Sequence, residues 1–331
     1  MSEPGSDGVW VEGRMSPFPK SISPEARARL ASLVGPGGRP IAPARAYPPA
    51  SDHAAWAQLK SLSNQAIVDA LGPAWAAFRS SCETTTIAGV VTHVATPAGA
   101  FDDSRAYMDI HGGALIFGGG DLSRMGAARQ ADLLGVRCYG VDYRTPPENA
   151  YPDPLDDCLA VYRALLERYA PQHIVIGGGS AGGNLAAATV LRARDEGLPL
   201  PAGLVLLTPE LDLTESGDTF ETNRTFDLML INPLMPINLL YAAGHDLAHP
   251  YLSPLFGDFA KGFPPTFLQA GTRDLFLSNT VRMHRALRRA GVPVELHIFE
   301  GMPHGGFGGL APEDRELSAE VARFAAERLK A

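Results

Sequence analysis

From about residue 84 onward, short apolar runs alternate with amphipathic stretches. The runs at 90–95, 106–110, 136–141, 174–176, 204–207, 266–269 and 294–299 are β-branched and bounded by polar or glycine-rich turns, which predicts strands. Helical spacing of apolar residues covers 122–134, 154–169, 181–194, 279–290 and 312–329. Apolar strands separated by helices predict an α/β fold with a mainly parallel sheet covered on both faces. The segment before residue 84 reads differently. A helix is predicted over 24–33, with Ser23 as its N-cap, and another over 52–79, broken near Gly72-Pro73. These helices have no apolar core of their own, yet the segment holds all three tryptophans, Trp10, Trp56 and Trp75. They are expected to lie on the other domain and bury their aromatics there. The chain therefore divides into an N-terminal helical segment, 1–83, and a catalytic domain, 84–331.

One stretch breaks the rhythm. Residues 212–251 stand where a single crossover helix is expected, but the stretch is long and apolar in patches, with Phe220, Phe226, Leu228, Leu230 and Tyr241 among them. It reads as an inserted cap, because long insertions in compact domains are usually functional; the alternative is a covering helix with a long loop.

Composition narrows the function classes. Of 331 residues 45% are hydrophobic and 19% charged, which permits a sizeable core. The formal net charge is −8 and there is no dense Lys/Arg stripe, so nucleic acid is excluded as the main partner. Arg282, Arg285, Arg288 and Arg289 read as the solvated face of a helix. The three cysteines, Cys82, Cys138 and Cys158, make no disulfide framework and no metal spacing. The polar N-terminus lacks the pattern of a signal peptide, and no apolar run approaches a membrane span. A cytoplasmic protein without membrane contact is the expectation.

Gly178-Gly179-Ser180-Ala181-Gly182 follows the run His173-Ile174-Val175-Ile176 and precedes Asn184-Leu185-Ala186-Ala187-Ala188. Strand, glycine-rich turn and helix are the surroundings of a nucleophile elbow, in which a serine sits on a strained turn at the top of a sheet. The same residues also spell GxGxxG, the dinucleotide-binding loop, with Glu210 as a candidate ribose-binding acid. A plain strand-to-helix turn is the third reading.

A serine nucleophile needs a base oriented by an acid, in the chain order Ser, Asp/Glu, His for this kind of sheet. His304 lies in Gly301-Met302-Pro303-His304-Gly305-Gly306, just past a predicted strand, at the edge where open α/β sheets bind ligands. His284 falls mid-helix and His297 within a strand, so His304 is the candidate base. Asp274 follows the strand 266–269 and is the candidate acid, with Glu210 and Asp212 as runners-up. Oxyanion donors are expected from the N–H groups of Ala181 and of Gly112 and Gly113 in His111-Gly112-Gly113-Ala114. His111 is expected to brace that loop. Phe276 and Phe307 flank the acid and base; with Phe226 and Leu230 they are candidate pocket residues, core packing being the equal alternative for the first two. His245 and His249 are four apart, but neither the zincin pattern nor the following Pro250 suits a metal pair, and no metal or other cofactor is expected.

Four segments together resemble the hormone-sensitive-lipase-like esterases, bacterial family IV of the α/β-hydrolases. They are His111-Gly112-Gly113; Val141-Asp142-Tyr143-Arg144 through Pro147-Glu148 and Asp156-Asp157; Gly178 to Gly183 with Asn184; and Asp274 with Pro303-His304. The resemblance removes the dinucleotide reading and implies an eight-stranded-type sheet with a helical cap. It implies a serine carboxylesterase for small, short-acyl apolar esters, with Ser180, His304 and Asp274 as triad. Lactones, carbamates and amides would use the same triad. A ligand-binding homologue is a distant alternative, because such proteins lose the histidine present here as His304. The resemblance also implies a possible homodimer. Two positions depart from the family pattern: Gly179 stands where Asp or Thr is usual, and Ala114 replaces the last glycine of HGGG.

Overall fold

Alternate side chains of the central strands feed two separate cores in the computed structural model, which describes residues 13–42, 46–75 and 77–330. Met108, Ile110, Tyr139, Val141, Ile176, Leu204, Leu206 and Leu268 join one buried cluster. Their neighbours Tyr107, Cys138, Val175, Val205 and Phe267 join another. Successive strand side chains point to opposite faces, so runs apolar in both phases require cover on both sides.

The strands are β1 (Ser81–Ile87), β2 (Val90–Thr96), β3 (Ala106–Ile110), β4 (Arg137–Val141), β5 (Ile174–Gly179), β6 (Gly203–Leu207), β7 (Thr266–Gly271) and β8 (Val294–Phe299). They form one eight-stranded sheet in the order β1-β2-β4-β3-β5-β6-β7-β8. β1 and β2 are antiparallel to each other, β2 is antiparallel to β4, and the remaining pairs are parallel. The first core is covered by α4 (Asp153–Arg168), α5 (Ala181–Asp195) and α8 (Leu277–Arg289), through residues such as Leu155, Leu185 and Met283. The second is covered by α3 (Asp121–Leu134) and α9 (Pro312–Arg328), through Ala127, Ala131, Val321 and Phe324.

All seven strands expected from the sequence are present, and β1 is an eighth. Its residues Ser81-Cys82-Glu83-Thr84-Thr85-Thr86-Ile87 are mostly exposed and carry no apolar alternation. It is an edge strand held by the two-residue turn Ala88-Gly89, both at positive φ (50° and 85°), the conformation that matches strand twist in a hairpin.

α1 (Pro24–Ser32) begins where expected. Ser23 Oγ accepts from Ala26 N–H at 3.1 Å, and the same hydroxyl donates to Glu313 on α9 at 2.8 Å. Ala26 and Leu30 pack with Leu228, Met302, Phe307 and Ala311, so α1 covers the loop after β8. α2 (His53–Trp75) corrects the expected break: the helix runs through Gly72-Pro73 and ends at Trp75. Between β6 and β7 there is no long crossover helix; the stretch contains α6 (Thr219–Thr222) and α7 (Met235–Ala242).

Trp56 of α2 is fully buried against Ile116, Ile237 and Leu240, which ties α2 to α7 and to the loop after β3. Its indole N–H donates to the Pro49 carbonyl at 3.1 Å. Trp75 lies under the Arg124 guanidinium, 4.4 Å from the ring, and Trp10 lies outside the described residues. Trp56→Ala is expected to lower unfolding stability by about 3–5 kcal/mol, the usual range for emptying a buried tryptophan site. A urea titration reads it as a lower midpoint; an unchanged midpoint would mean that α2 is not held by this contact.

Candidate active site

Backbone approaches backbone where β5 meets α5. A side chain at Gly182 would collide with the carbonyl oxygen of Ile110, and a Cβ at Gly178 would stand 2.7 Å from that same oxygen. Glycine at both positions lets the turn press against the end of β3. Ser180 then takes φ 56° and ψ −123°, a strained conformation for a residue with a side chain. Its hydroxyl points away from the sheet edge, toward the loop after β8.

There His304 meets it. The Ser180 hydroxyl and His304 Nε2 are 2.9 Å apart, and His304 Nδ1 is 3.1 Å from Asp274 Oδ1. Asp274 comes from the loop after β7, is fully buried, and also accepts the Phe276 N–H at 2.9 Å. The Phe276 ring stands edge-on to His304, 5.0 Å between centres. The three residues picked out in the sequence thus form one hydrogen-bonded line across three strand ends.

Two residues that sequence reasoning missed hold this line. Asp227 Oδ2 accepts Leu275 N–H at 2.9 Å, and its Oδ1 accepts Met229 N–H at 2.9 Å and Leu230 N–H at 3.2 Å. Asn223 donates to the backbone carbonyls of Asp274 (2.9 Å) and Thr272 (3.2 Å). Both lie in the stretch between β6 and β7, far from Asp274 in sequence, and no local motif marks them. Asp227, Asp274 and His304 are also the one trio among the described residues with ligand atoms close enough to share a metal ion. Hydrogen bonds to each other and to backbone amides engage Asp274 Oδ1, His304 Nδ1 and both Asp227 oxygens, while the buried Asp274 Oδ2 has no hydrogen-bond partner among the described residues. His245 and His249 follow the end of α7 and share no helix face; Tyr151 stacks edge-on to His245.

Electrostatics favours a charged imidazole. Burial pushes the His304 pKa down, but the Asp274 charge and hydrogen bond, together with the Asp227 and Glu210 charges, push it up, so the net shift is upward from 6.5. Glu210, in the loop after β6, is buried and its carboxyl is pushed up to about 8 by desolvation, with the His304 charge opposing that shift. Its own N–H donates to the Ser180 carbonyl at 3.2 Å. Asp212, the other alternative acid, is turned away: it accepts from Thr214, from Ser216 at 2.6 Å and from Arg282 at 2.6 Å. This pairing takes Arg282 out of the solvated helix face expected for it. Arg285, Arg288 and Arg289 are exposed.

The loop after β3 crosses beside Ser180. Among the described residues the N–H groups of Gly112 and Gly113 donate to no carbonyl. The Ala181 N–H is in the first turn of α5, where amides have no partner within the helix. His111 stacks on Tyr143 at 4.0 Å, and the Tyr143 hydroxyl donates to the His111 carbonyl at 2.9 Å. From α2, the Asn64 side chain accepts Gly118 N–H at 3.0 Å.

A cavity of about 330 Å³ opens on Ser180, His304 and Gly112. None of the four aromatic or aliphatic candidates lines it. Phe307 is buried with α1, Phe276 is buried against Phe220 and His304, and Leu230 lines a different cavity. Phe226 is at the surface, 5.6 Å from the Arg273 guanidinium. Phe276 and Phe307 fill spaces between elements, which is where large apolar groups gain most from burial.

The family described as alpha/beta hydrolase fold matches residues 107–307. An acetyl-hydrolase of Streptomyces hygroscopicus is 33% identical over 62% of this chain and 69% of its own length. The crystal structure of an esterase E25 superimposes with a TM-score of 0.85 at 32% identity, covering 97% of this chain and 98% of that one. An esterase from the bacterial hormone-sensitive lipase family superimposes with a TM-score of 0.75 at 28% identity, covering 93% and 99%. The fold and the elbow define an α/β-hydrolase. Within that class, the chain belongs to the hormone-sensitive-lipase-like esterases, and as an enzyme it is a carboxylic ester hydrolase.

Removing the charge of Asp227 or of Glu210 destabilises the protonated imidazole. Asp227→Asn and Glu210→Gln are therefore each expected to lower the His304 pKa, Asp227→Asn by more. NMR titration of the His304 ring checks both; a His304 pKa insensitive to Asp227 would contradict this electrostatic assignment.

Proposed function

We propose that Ser180, His304 and Asp274 are the catalytic triad of a carboxylesterase that cleaves small, short-acyl esters through an acyl-enzyme. The observation that carries this reading is the continuous line Asp274–His304–Ser180, with its hydrogen bonds of 3.1 and 2.9 Å. Neutral His304 holds its Nδ1 proton on Asp274, which leaves Nε2 free to accept the Ser180 proton. Ser180 Oγ attacks the ester carbonyl as that proton moves. The N–H groups of Gly112, Gly113 and Ala181 take the developing oxyanion, and the positive end of α5 favours the same charge. Imidazolium then protonates the departing alcohol. A water deprotonated by His304 attacks the acyl-enzyme, and Ser180 is released with the carboxylic acid.

Asp274 stabilises the imidazolium and fixes the ring, and Asp227 positions Asp274 through the Leu275 amide. The upward shift of the His304 pKa suits a base that must accept a full proton in the transition state. The preference for short acyl groups agrees with the acetyl-hydrolase name of the Streptomyces relative. We read α2 and α7, joined through Trp56, as the cap over this edge, drawn from the segments 1–83 and 212–251.

Ser180→Ala is expected to lower kcat/KM for p-nitrophenyl butyrate by roughly 10⁴-fold or more with folding intact, and Asp274→Asn by a loss of similar order. Steady-state kinetics alongside circular dichroism checks it; wild-type-like turnover in folded Ser180→Ala would sink the assignment.

A further inference from the structure

Gly179 is free of the constraint that binds its neighbours. A Cβ built there would stand 3.6 Å from the Leu207 carbonyl oxygen and 4.0 Å from Leu207 Cβ, ordinary contact distances. Its φ is not in the left-handed region. Neither space nor backbone demands glycine, so the absent side chain is simply room. That room belongs to the cavity at Ser180, which runs from the serine down between α3 and α9. This is the face of the sheet opposite α5.

The lining changes along its length. Leu133, Leu207 and Leu317 give an apolar wall, and the exposed Arg129 of α3 and Arg315 of α9 flank the cavity on either side. Among the described residues neither guanidinium lies within ion-pair distance of a carboxylate. Asp314, the acid in the same wall, is otherwise engaged: its two oxygens accept the N–H groups of Phe307 (2.9 Å) and Ala311 (3.1 Å). Arg315 donates to the Leu310 carbonyl at 3.4 Å, and the Arg129 charge acts on the buried Asp109. Neither guanidinium holds a carboxylate in an ion pair, however, and two such forked cations in one cavity with an apolar wall match a short hydrocarbon chain that ends in a carboxylate. The group that stays on Ser180 after the alcohol leaves is the acyl group, and the cavity opens at the residue next to that serine.

We propose that this cavity is the acyl subsite and that the enzyme takes half-esters of short dicarboxylic acids, with Arg129 and Arg315 as the residues that select the distal carboxylate. The proposal rests on Ser180 being the nucleophile. Hydrolysis of such a half-ester breaks the acyl C–O bond to the alcohol, forms one to the oxygen of water, and releases the alcohol and the dicarboxylate. Gly179 is the specificity-determining gap: a side chain there fills the passage between the serine and the arginines.

The test compares kcat/KM for monoethyl glutarate and monoethyl adipate with that for ethyl butyrate, by acid release at constant pH. The wild-type enzyme is expected to prefer at least one half-ester by roughly tenfold, the worth of one or two charge-assisted hydrogen bonds in a partly exposed site. The double variant Arg129→Ala/Arg315→Ala should lose that preference through KM, the double variant Arg129→Lys/Arg315→Lys should keep part of it, and Gly179→Asp should abolish it. A wild-type enzyme indifferent to the distal carboxylate, a preference that survives the double alanine variant, or a lysine pair no better than the alanine pair would each overturn the subsite. Hydrolysis of ethyl butyrate in any of those cases leaves the esterase reading standing. Failure to cleave any ester would overturn that reading as well.

Discussion

The whole site depends on one close approach. The turn from β5 into α5 presses on the end of β3 so tightly that Gly178 and Gly182 admit no side chain against the Ile110 carbonyl. This contact does two things at once. It holds Ser180 at positive φ with its hydroxyl above the sheet edge, and it sets Gly112 of the loop after β3 against the Gly179-Ser180 turn. On the proposed reading, nucleophile and oxyanion donors are placed by the same packing, so neither needs a flexible loop to find the other. Preorganised donors cost no reorganisation when charge develops, which is where most of such a site's catalytic power lies.

The rest of the machinery is carried by loops that other segments restrain. The loop after β7 presents Asp274, and Asn223 and Asp227 hold it from the stretch between β6 and β7. The loop after β8 presents His304, and α1 packs on it through Ala26 and Leu30. α2 reaches the loop after β3 through Asn64 and Trp56. Segments outside the regular β/α alternation therefore do more than cover the sheet: each one fixes a loop that bears a residue of the proposed triad or oxyanion hole. The buried carboxylates Asp274, Asp227 and Glu210 all act on His304 as charges, and desolvation pushes the Glu210 carboxyl up to about 8.

Much of this was legible in the sequence because the informative signals are local. A β-branched run, a glycine turn and an alanine-rich helix mark the elbow, and strand ends followed by Asp274 and by His304 mark the places where an acid and a base face one edge. The seven apolar strands were readable for the same reason. β1 was not, because its Thr-rich residues are an exposed edge whose pairing, not its pattern, makes it a strand. Asp227 and Asn223 were invisible for a different reason: they act across the fold on a loop distant in sequence. The aromatic residues near the acid and base misled in the opposite way. Phe276 and Phe307 stand close to Asp274 and His304 along the chain, but their bulk is worth most when buried, and the fold uses them as packing. Gly179 was visible as a departure from the family pattern; its meaning needed the space beside it.

The central claim is that Ser180 is an activated nucleophile, and the most direct measurement is covalent labelling with a fluorophosphonate followed by peptide mass spectrometry. The account predicts one phosphonyl group per chain, located on Ser180 and lost when His304 is replaced by alanine. An unlabelled Ser180, or labelling that persists without His304, would contradict it.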